Sequence, residues 1–416
     1  MLLATRIVAL AALLSLAACT PMPHPAAPSP PPVATAGQRA PITVLVSIDA
    51  FRPDYRGHGL TPNLDAIAAQ GLSGTMTPSF PTLTFPNHYA MATGLRPDRN
   101  GIVENKMRDP ARPDGLFESK EKSSADPFWW DQAEPIWVTA EKAGIRTGIL
   151  FYPGSDRAIR GTRPGIWLPF DGAITSEQRI DFLLDWARRP APDRPRFLSV
   201  YFDAVDKAGH AHGAGAPETD AAIREVDSAI GRLRREFAAM GQPINLLVVS
   251  DHGLGTIPPE HVLPLANIVD RSVMDVMTAG GPAISVWPKP GQEAKVAAML
   301  LRPHPHLQCW RREDLPARFH YGHNPRVPPF YCVVQDRGWI YVDKVVTTTV
   351  GDHGYDNENP DMTALFLATG PAFPKKATLP KFDNVDVYPL LRELIGLPPQ
   401  PDIDGTVAPF RGLARP

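Results

Sequence analysis

What this sequence has least of is net charge. Its 42 Lys and Arg stand against 44 Asp and Glu, a formal balance of -2 over 416 residues. That balance excludes an extended basic groove for a nucleic acid polymer, because such affinity rests on Lys and Arg neutralising phosphates. Any nucleic-acid-like ligand has to be small. A long hydrophobic run at the start is missing too. The first residues, MLLATRIVALAALLSLAAC, hold one Arg, a short apolar stretch and then small residues. This is the layout of a secretory signal, and it falls short of the roughly 20 apolar residues of a bilayer-spanning helix. No internal repeat is visible, and cysteine is confined to Cys19, Cys309 and Cys332.

What is present is ample apolar material, 43% hydrophobic against 21% charged. That is enough for one large domain or a core with a smaller inserted one, and it rules out a disordered or fibrous chain. The 48 prolines exceed twice the usual share of about 5%, so long, rigid loops should overlie a regular core. Leu16, Ala17, Ala18 and Cys19 resemble a bacterial lipobox, in which the Cys becomes the lipidated first residue. The expected organisation is a signal peptide over 1–18, a Pro/Ala-rich tether over 19–40 and a catalytic domain over 41–410, held in the periplasm by a lipid anchor at Cys19. Thr20, standing where an Asp often marks inner-membrane retention, points to the outer membrane. Cys309 and Cys332 form an even pair in a chain bound for an oxidising compartment, which predicts a disulfide.

Strand-like and helix-like segments alternate. The run Ile42 to Ile48 reads as a buried strand, followed by a helix that Thr61 and Pro62 open and Gly71 closes. Further strand-like runs lie at Thr147 to Phe151, Phe197 to Phe202, Leu246 to Ser250 and Ala364 to Ala368. Helical periods at Ile180, Leu183, Leu184 and Ala187, and from Ile223 to Phe237, fall between them. This alternation predicts an α/β layered fold around a central, mostly parallel sheet flanked by helices. The less regular stretch of about 262–346 reads as a small inserted α+β cap.

Three of the strand-like runs finish at or near acidic and histidine residues: Asp49, Asp206, and Asp251 with His252. In a parallel sheet these side chains converge on one rim. Asp206 and His210, four apart, share one face of a helical turn, and His353 in GDHGYDN lies on a Gly-flanked loop. Singly, each pattern is as common in surface turns and hydrogen-bonded pairs. Together, three Asp and three His suit two Zn ions with three protein ligands each and positions open for substrate. His58, His88, His212, His261 and His320 are read as structural or exposed. Thr84, in PSFPTLTFPNHYAMATG, precedes residues able to start a helix, where an anion is attracted. Local pattern alone makes it an N-cap; a Zn ion would make it a nucleophile.

The runs SIDAFRPDY, FPTLTFPNHY, VDKAGHAHG, VVSDHG and GDHGYDN, together with DLPARFHYGHNPRV, DMTALFLATGPAF and FDNVDVYPLLRELIGL, resemble the nucleotide pyrophosphatase/phosphodiesterase family of the alkaline phosphatase superfamily. The likeness extends from about Ile42 to Thr406. It implies one zinc on Asp206, His210 and His353, and another on Asp49, Asp251 and His252 with Thr84 as the covalent nucleophile. Asn105, in GIVENKM, matches an asparagine that donates to a phosphoryl oxygen. Phe85 and Tyr201 fall where the family places aromatics around a nucleobase, and Phe170 adds to that pocket. The implied reaction is hydrolysis of nucleotide phosphodiester or pyrophosphate bonds to nucleoside monophosphates. Two divalent ions against three carboxylates leave about one positive charge, which suits a singly charged diester. A phosphomonoesterase, a lipid head-group phosphodiesterase and a non-catalytic envelope lipoprotein scaffold stand as alternatives. A sulfatase fits less well, since that family uses a modified Cys or Ser nucleophile and no such Cys lies near Thr84.

Overall fold

Ile42–Ile48 is a strand because its seven residues, ITVLVSI, are largely β-branched and buried on both faces. In this computed structural model, which describes residues 39–415 apart from 278, 279, 336 and 342–349 and leaves out the Asn267 side chain, that strand sits at the centre of the main sheet. The expected signal and most of the tether lie outside the described residues. Phe197–Phe202 and Ile244–Val249 pair with it in parallel on either side, so that Ser47 stands opposite both Tyr201 and Val249.

The full order runs Ala377–Thr378, Leu72–Thr77, Ala364–Thr369, Ile244–Val249, Ile42–Ile48, Phe197–Phe202, Thr147–Leu150 and Ile166–Leu168, with Phe382–Asp383 also pairing to Leu72–Thr77. Ala364–Thr369 runs antiparallel to both of its neighbours, and the remaining pairs are parallel. The expected mostly parallel sheet is therefore present, with one reversed strand. Alternate residues of the central strand serve opposite layers. Val44, Val46 and Ile48 pack under Leu64, Ile180, Leu183, Ile223 and Ile230 from the helices Pro62–Gln70, Ser176–Arg188 and Pro217–Ala239. Leu45 packs with Tyr89, Trp137 and Leu391 from Thr84–Thr93, Ile136–Lys142 and Val387–Ile395.

Residues 262–341 build smaller sheets. Met274–Val276, Ala283–Pro288, Phe330–Val334 and Leu307–Arg311 form an antiparallel one beside the helix Glu293–Leu300, while Val262–Pro264, Trp339–Tyr341 and Gly280–Gly281 form another. Cys309 and Cys332 face each other in that antiparallel pairing and are bonded, 4.0 Å apart at Cα.

One local expectation needs correcting. Thr61 does stand at the N-cap position of Pro62–Gln70, but its side chain caps nothing. The cap comes from Asp227, whose carboxylate accepts from the Asn63 and Leu64 N–H groups at 3.1 and 2.8 Å. The two helices approach so closely at this point that a Cβ on Gly231 would lie 2.2 Å from the Asn63 side chain. Replacing Asp227 by Ala should leave two helix-end donors unmet and cost about 1 to 3 kcal/mol. Urea unfolding measures this, and an unchanged midpoint would refute the tertiary cap.

Candidate active site

The site forms where three adjacent parallel strands end. Asp49 directly follows Ile42–Ile48, and Asp251 and His252 follow Ile244–Val249 after Ser250. Asp206 and His210 lie one turn apart on the helix Ala204–His212, which starts just beyond Phe197–Phe202. His353 arrives by another route. The short strand Gly351–Asp352 pairs with Gly255–Thr256, just past His252, and this pairing carries the last histidine to the rim.

All six expected ligands meet there. One potential ligand atom from each of Asp206, His210 and His353 lies within 4.8 Å of the others, and the same holds for Asp49, Asp251 and His252. His210 Nε2 and His353 Nε2 stand 3.2 and 3.5 Å from Asp206 Oδ1. His252 Nε2 stands 3.0 Å from Asp251 Oδ2 and 3.6 Å from Asp49 Oδ1. Stacking of the His252 and His353 rings at 3.8 Å makes the two clusters neighbours.

Backbone carbonyls fix the imidazoles. Nδ1 of His210 meets Gly351 O at 2.8 Å, that of His252 meets Gly253 O at 3.0 Å, and that of His353 meets Thr82 O at 3.0 Å. A carbonyl only accepts, so each Nδ1 carries a proton and each Nε2 is the nitrogen turned toward the cluster. Meanwhile Asp49 Oδ1, Asp206 Oδ1 and Asp251 Oδ2 are buried and accept no hydrogen bond. Burial, then the nearby Asp251 and Asp206 carboxylates, hold Asp49 well above the usual carboxylate range. Burial and then the charge at His252 push His353 down to about 3, which keeps it neutral. Against burial, Asp206 raises His210 to about 9 and Asp251 raises His252, so protons stand there when no metal does. Buried carboxylate oxygens converging with imidazole Nε2 atoms are a donor set that a divalent cation completes in place of those protons. A metal ion fits each cluster.

Thr84 is the first residue of the helix Thr84–Thr93, and Leu83 holds the N-cap position. Its Oγ1 therefore caps nothing. It lies 3.5 Å from Asp49 Oδ2 and 3.4 Å from His252 Nε2, at the edge of the second cluster. Asn105 stands alongside, half-buried, and its Oδ1 accepts the Phe85 N–H at 3.0 Å. That bond orients the amide and leaves its Nδ2 hydrogens to be donated elsewhere.

The three aromatics differ. Phe85 is half-buried against Phe117 and Trp130, whereas Phe170 is 50% exposed. Tyr201 is buried, with its hydroxyl donating to Asp49 Oδ2. The hydroxyl is thus committed to Asp49, a hold that its expected stacking role did not foresee. His88, read as merely structural, does more: its Nδ1 lies 2.8 Å from Thr84 O and 3.2 Å from Asp251 Oδ2, and its Nε2 lies 2.8 Å from Ser47 Oγ. Its spacing of four from Thr84 within one helix was the available signal.

The family model described as Type I phosphodiesterase / nucleotide pyrophosphatase matches residues 43–356. The chain belongs to this family. Among relatives of this nucleotide pyrophosphatase/phosphodiesterase, an uncharacterized pyrophosphatase/phosphodiesterase of Schizosaccharomyces pombe is 33% identical, covering 86% of this chain and 78% of its own. The bis(5'-adenosyl)-triphosphatase enpp4 of Xenopus laevis is also 33% identical, with 88% and 80% covered. A solved structure of murine ectonucleotide pyrophosphatase/phosphodiesterase 5, an inactive threonine-to-alanine form in complex with AMP, superposes with a TM-score of 0.86 at 31% identity, covering 90% of this chain and 100% of that one. The layered α/β fold is thus that of the alkaline phosphatase superfamily, and the protein is a hydrolase of phosphodiester and pyrophosphate bonds.

The electrostatics of Asp49 give a stability test. Because its folded pKa is raised, its ionised form costs stability in metal-free protein at neutral pH, and the cost fades as pH falls through the folded value. Asp49→Asn should therefore melt above the wild type in chelator, by about 2 to 4 °C, and below it at saturating divalent cation. Equal melting temperatures in chelator would overturn this account.

Proposed function

We propose that the chain hydrolyses small nucleotide diesters and pyrophosphates to nucleoside monophosphates, with two Zn ions per chain and Thr84 as covalent nucleophile. The observation that carries this reading is the position of Thr84 Oγ1, within 3.5 Å of both Asp49 and His252 and beside a second complete ligand cluster. Zinc held by Asp206, His210 and His353, and by Asp49, Asp251 and His252, would supply Lewis-acid stabilisation of phosphoryl charge and lower the pKa of a bound hydroxyl.

The chain's own groups do the rest. Thr84 Oγ1 forms a bond to phosphorus as the bond to the leaving oxygen breaks, and water then cleaves the threonine ester and releases the monophosphate. The N–H groups at the start of the helix Thr84–Thr93 favour an anion there. Asn105 Nδ2 donates to a phosphoryl oxygen. Tyr201 holds Asp49 in its orientation and His88 holds Asp251. Phe85 and Phe170, the aromatics with open surface, take the nucleobase. The AMP complex of the murine relative, in an inactive threonine-to-alanine form, supports both the ligand class and the nucleophile. The Cys309–Cys332 bond supports export to an oxidising compartment, and with it the reading of a periplasmic protein anchored at Cys19.

Thr84→Ala is expected to lower kcat on the p-nitrophenyl ester of thymidine monophosphate by on the order of 10⁴-fold while zinc content stays at two ions per chain. Activity within tenfold of wild type, or faster turnover of p-nitrophenyl phosphate by the wild type, would sink the reading. On a chiral phosphorothioate diester, two displacements should give net retention at phosphorus. Inversion would exclude the threonine ester.

A further inference from the structure

Immediately before Asn105 lies an acid that the reaction does not use. Glu104 is 4% exposed, and burial pushes its carboxyl up to about 7 against the opposing pull of Tyr331 and Ser285. A buried acid next to a phosphoryl-binding residue is costly unless something holds it there. Its partners come from far along the chain. Ser285 Oγ donates to Glu104 Oε1 at 3.0 Å, and the Tyr331 hydroxyl stands on the same side, where it opposes the rise of the carboxyl. Ser285 and Tyr331 stand directly opposite each other on the antiparallel strands Ala283–Pro288 and Phe330–Val334, so the sheet itself sets the socket into which the carboxylate plugs.

The grip extends along the whole loop. The Tyr321 hydroxyl donates to Val103 O at 3.0 Å, and the buried Arg326 guanidinium donates to Gly101 O at 2.8 Å. On its other side, Asn105 is tied to the nucleophile's helix through the Phe85 N–H. Donors from residues 285–331 thus meet the loop one to four residues ahead of Asn105.

We propose that Glu104 is a positioning residue through which the Ser285–Tyr331 socket holds Asn105 in its phosphoryl-binding pose. This rests on the role of Asn105 given above, and the two ideas can be tested apart. With the p-nitrophenyl ester of thymidine monophosphate as probe, Asn105→Ala should lower kcat by about 100-fold. Glu104→Gln, and Tyr331→Phe as a milder second variant, should each lower kcat by about tenfold with KM within about twofold. In an Asn105→Ala background, either change should cost less than about twofold, because the group it positions is already gone. Zinc content is followed throughout. A full tenfold loss persisting in the Asn105→Ala background, or wild-type kcat in both single variants, overturns the socket while leaving Asn105 its role. Wild-type kcat in Asn105→Ala removes that role and the proposal with it.

Discussion

The constraint on which the structure depends is that three carboxylates, Asp49, Asp206 and Asp251, are withdrawn from water beside one another, each with an oxygen that accepts no hydrogen bond. Burial and then mutual repulsion raise Asp49 well above its ordinary range, and positive charge offsets the acids: protons on His210 and His252 without a metal, divalent cations with one. Much of the surrounding architecture serves that one requirement. Parallel strands aim the acids at a common rim, and carbonyls of Thr82, Gly253 and Gly351 hold the imidazoles with Nε2 inward. Tyr201 and His88 restrain the acids from outside the ligand set.

A charge cluster of this kind also explains why the proposed nucleophile sits where it does. Thr84 opens a helix, so its hydroxyl shares the rim with N–H groups that favour negative charge, and nothing else claims it as a cap. The same helix carries His88 one turn later, back to Asp251 and to Thr84's own carbonyl. Thr84, Asp251 and the helix are thereby tied together, and a displacement of one moves the others.

Residues 262–341 reach the segments on either side of the sheet rim. Their aromatic residues reach the segment ahead of Thr84, with Phe319 stacked on Phe80 at 3.9 Å and Tyr321 and Tyr331 edge-on to it. Their polar residues reach the Asn105 loop. The small sheet bridged by Cys309 and Cys332, with the connection between its last two strands in the chain, therefore touches both the Phe80 segment and the Asn105 loop.

Sequence periodicity alone determined the strand–helix alternation, the mostly parallel sheet, and the placing of Asp49, Asp251 and His252 just past strand ends, because these follow from local patterns of two and 3.6 residues. Motif resemblance named Thr84, Asn105 and all six ligands. Tertiary structure decided the rest. That Asp227 caps a helix 164 residues away, that Ala364–Thr369 runs against its neighbours, that Tyr201 spends its hydroxyl on Asp49, and that Glu104 takes a hydrogen bond from another sheet were not legible beforehand. Each is a matter of which buried polar group finds which distant partner. Such pairing is settled by through-space distance and the exclusion of water, and neither leaves a trace in the spacing of residues along a chain.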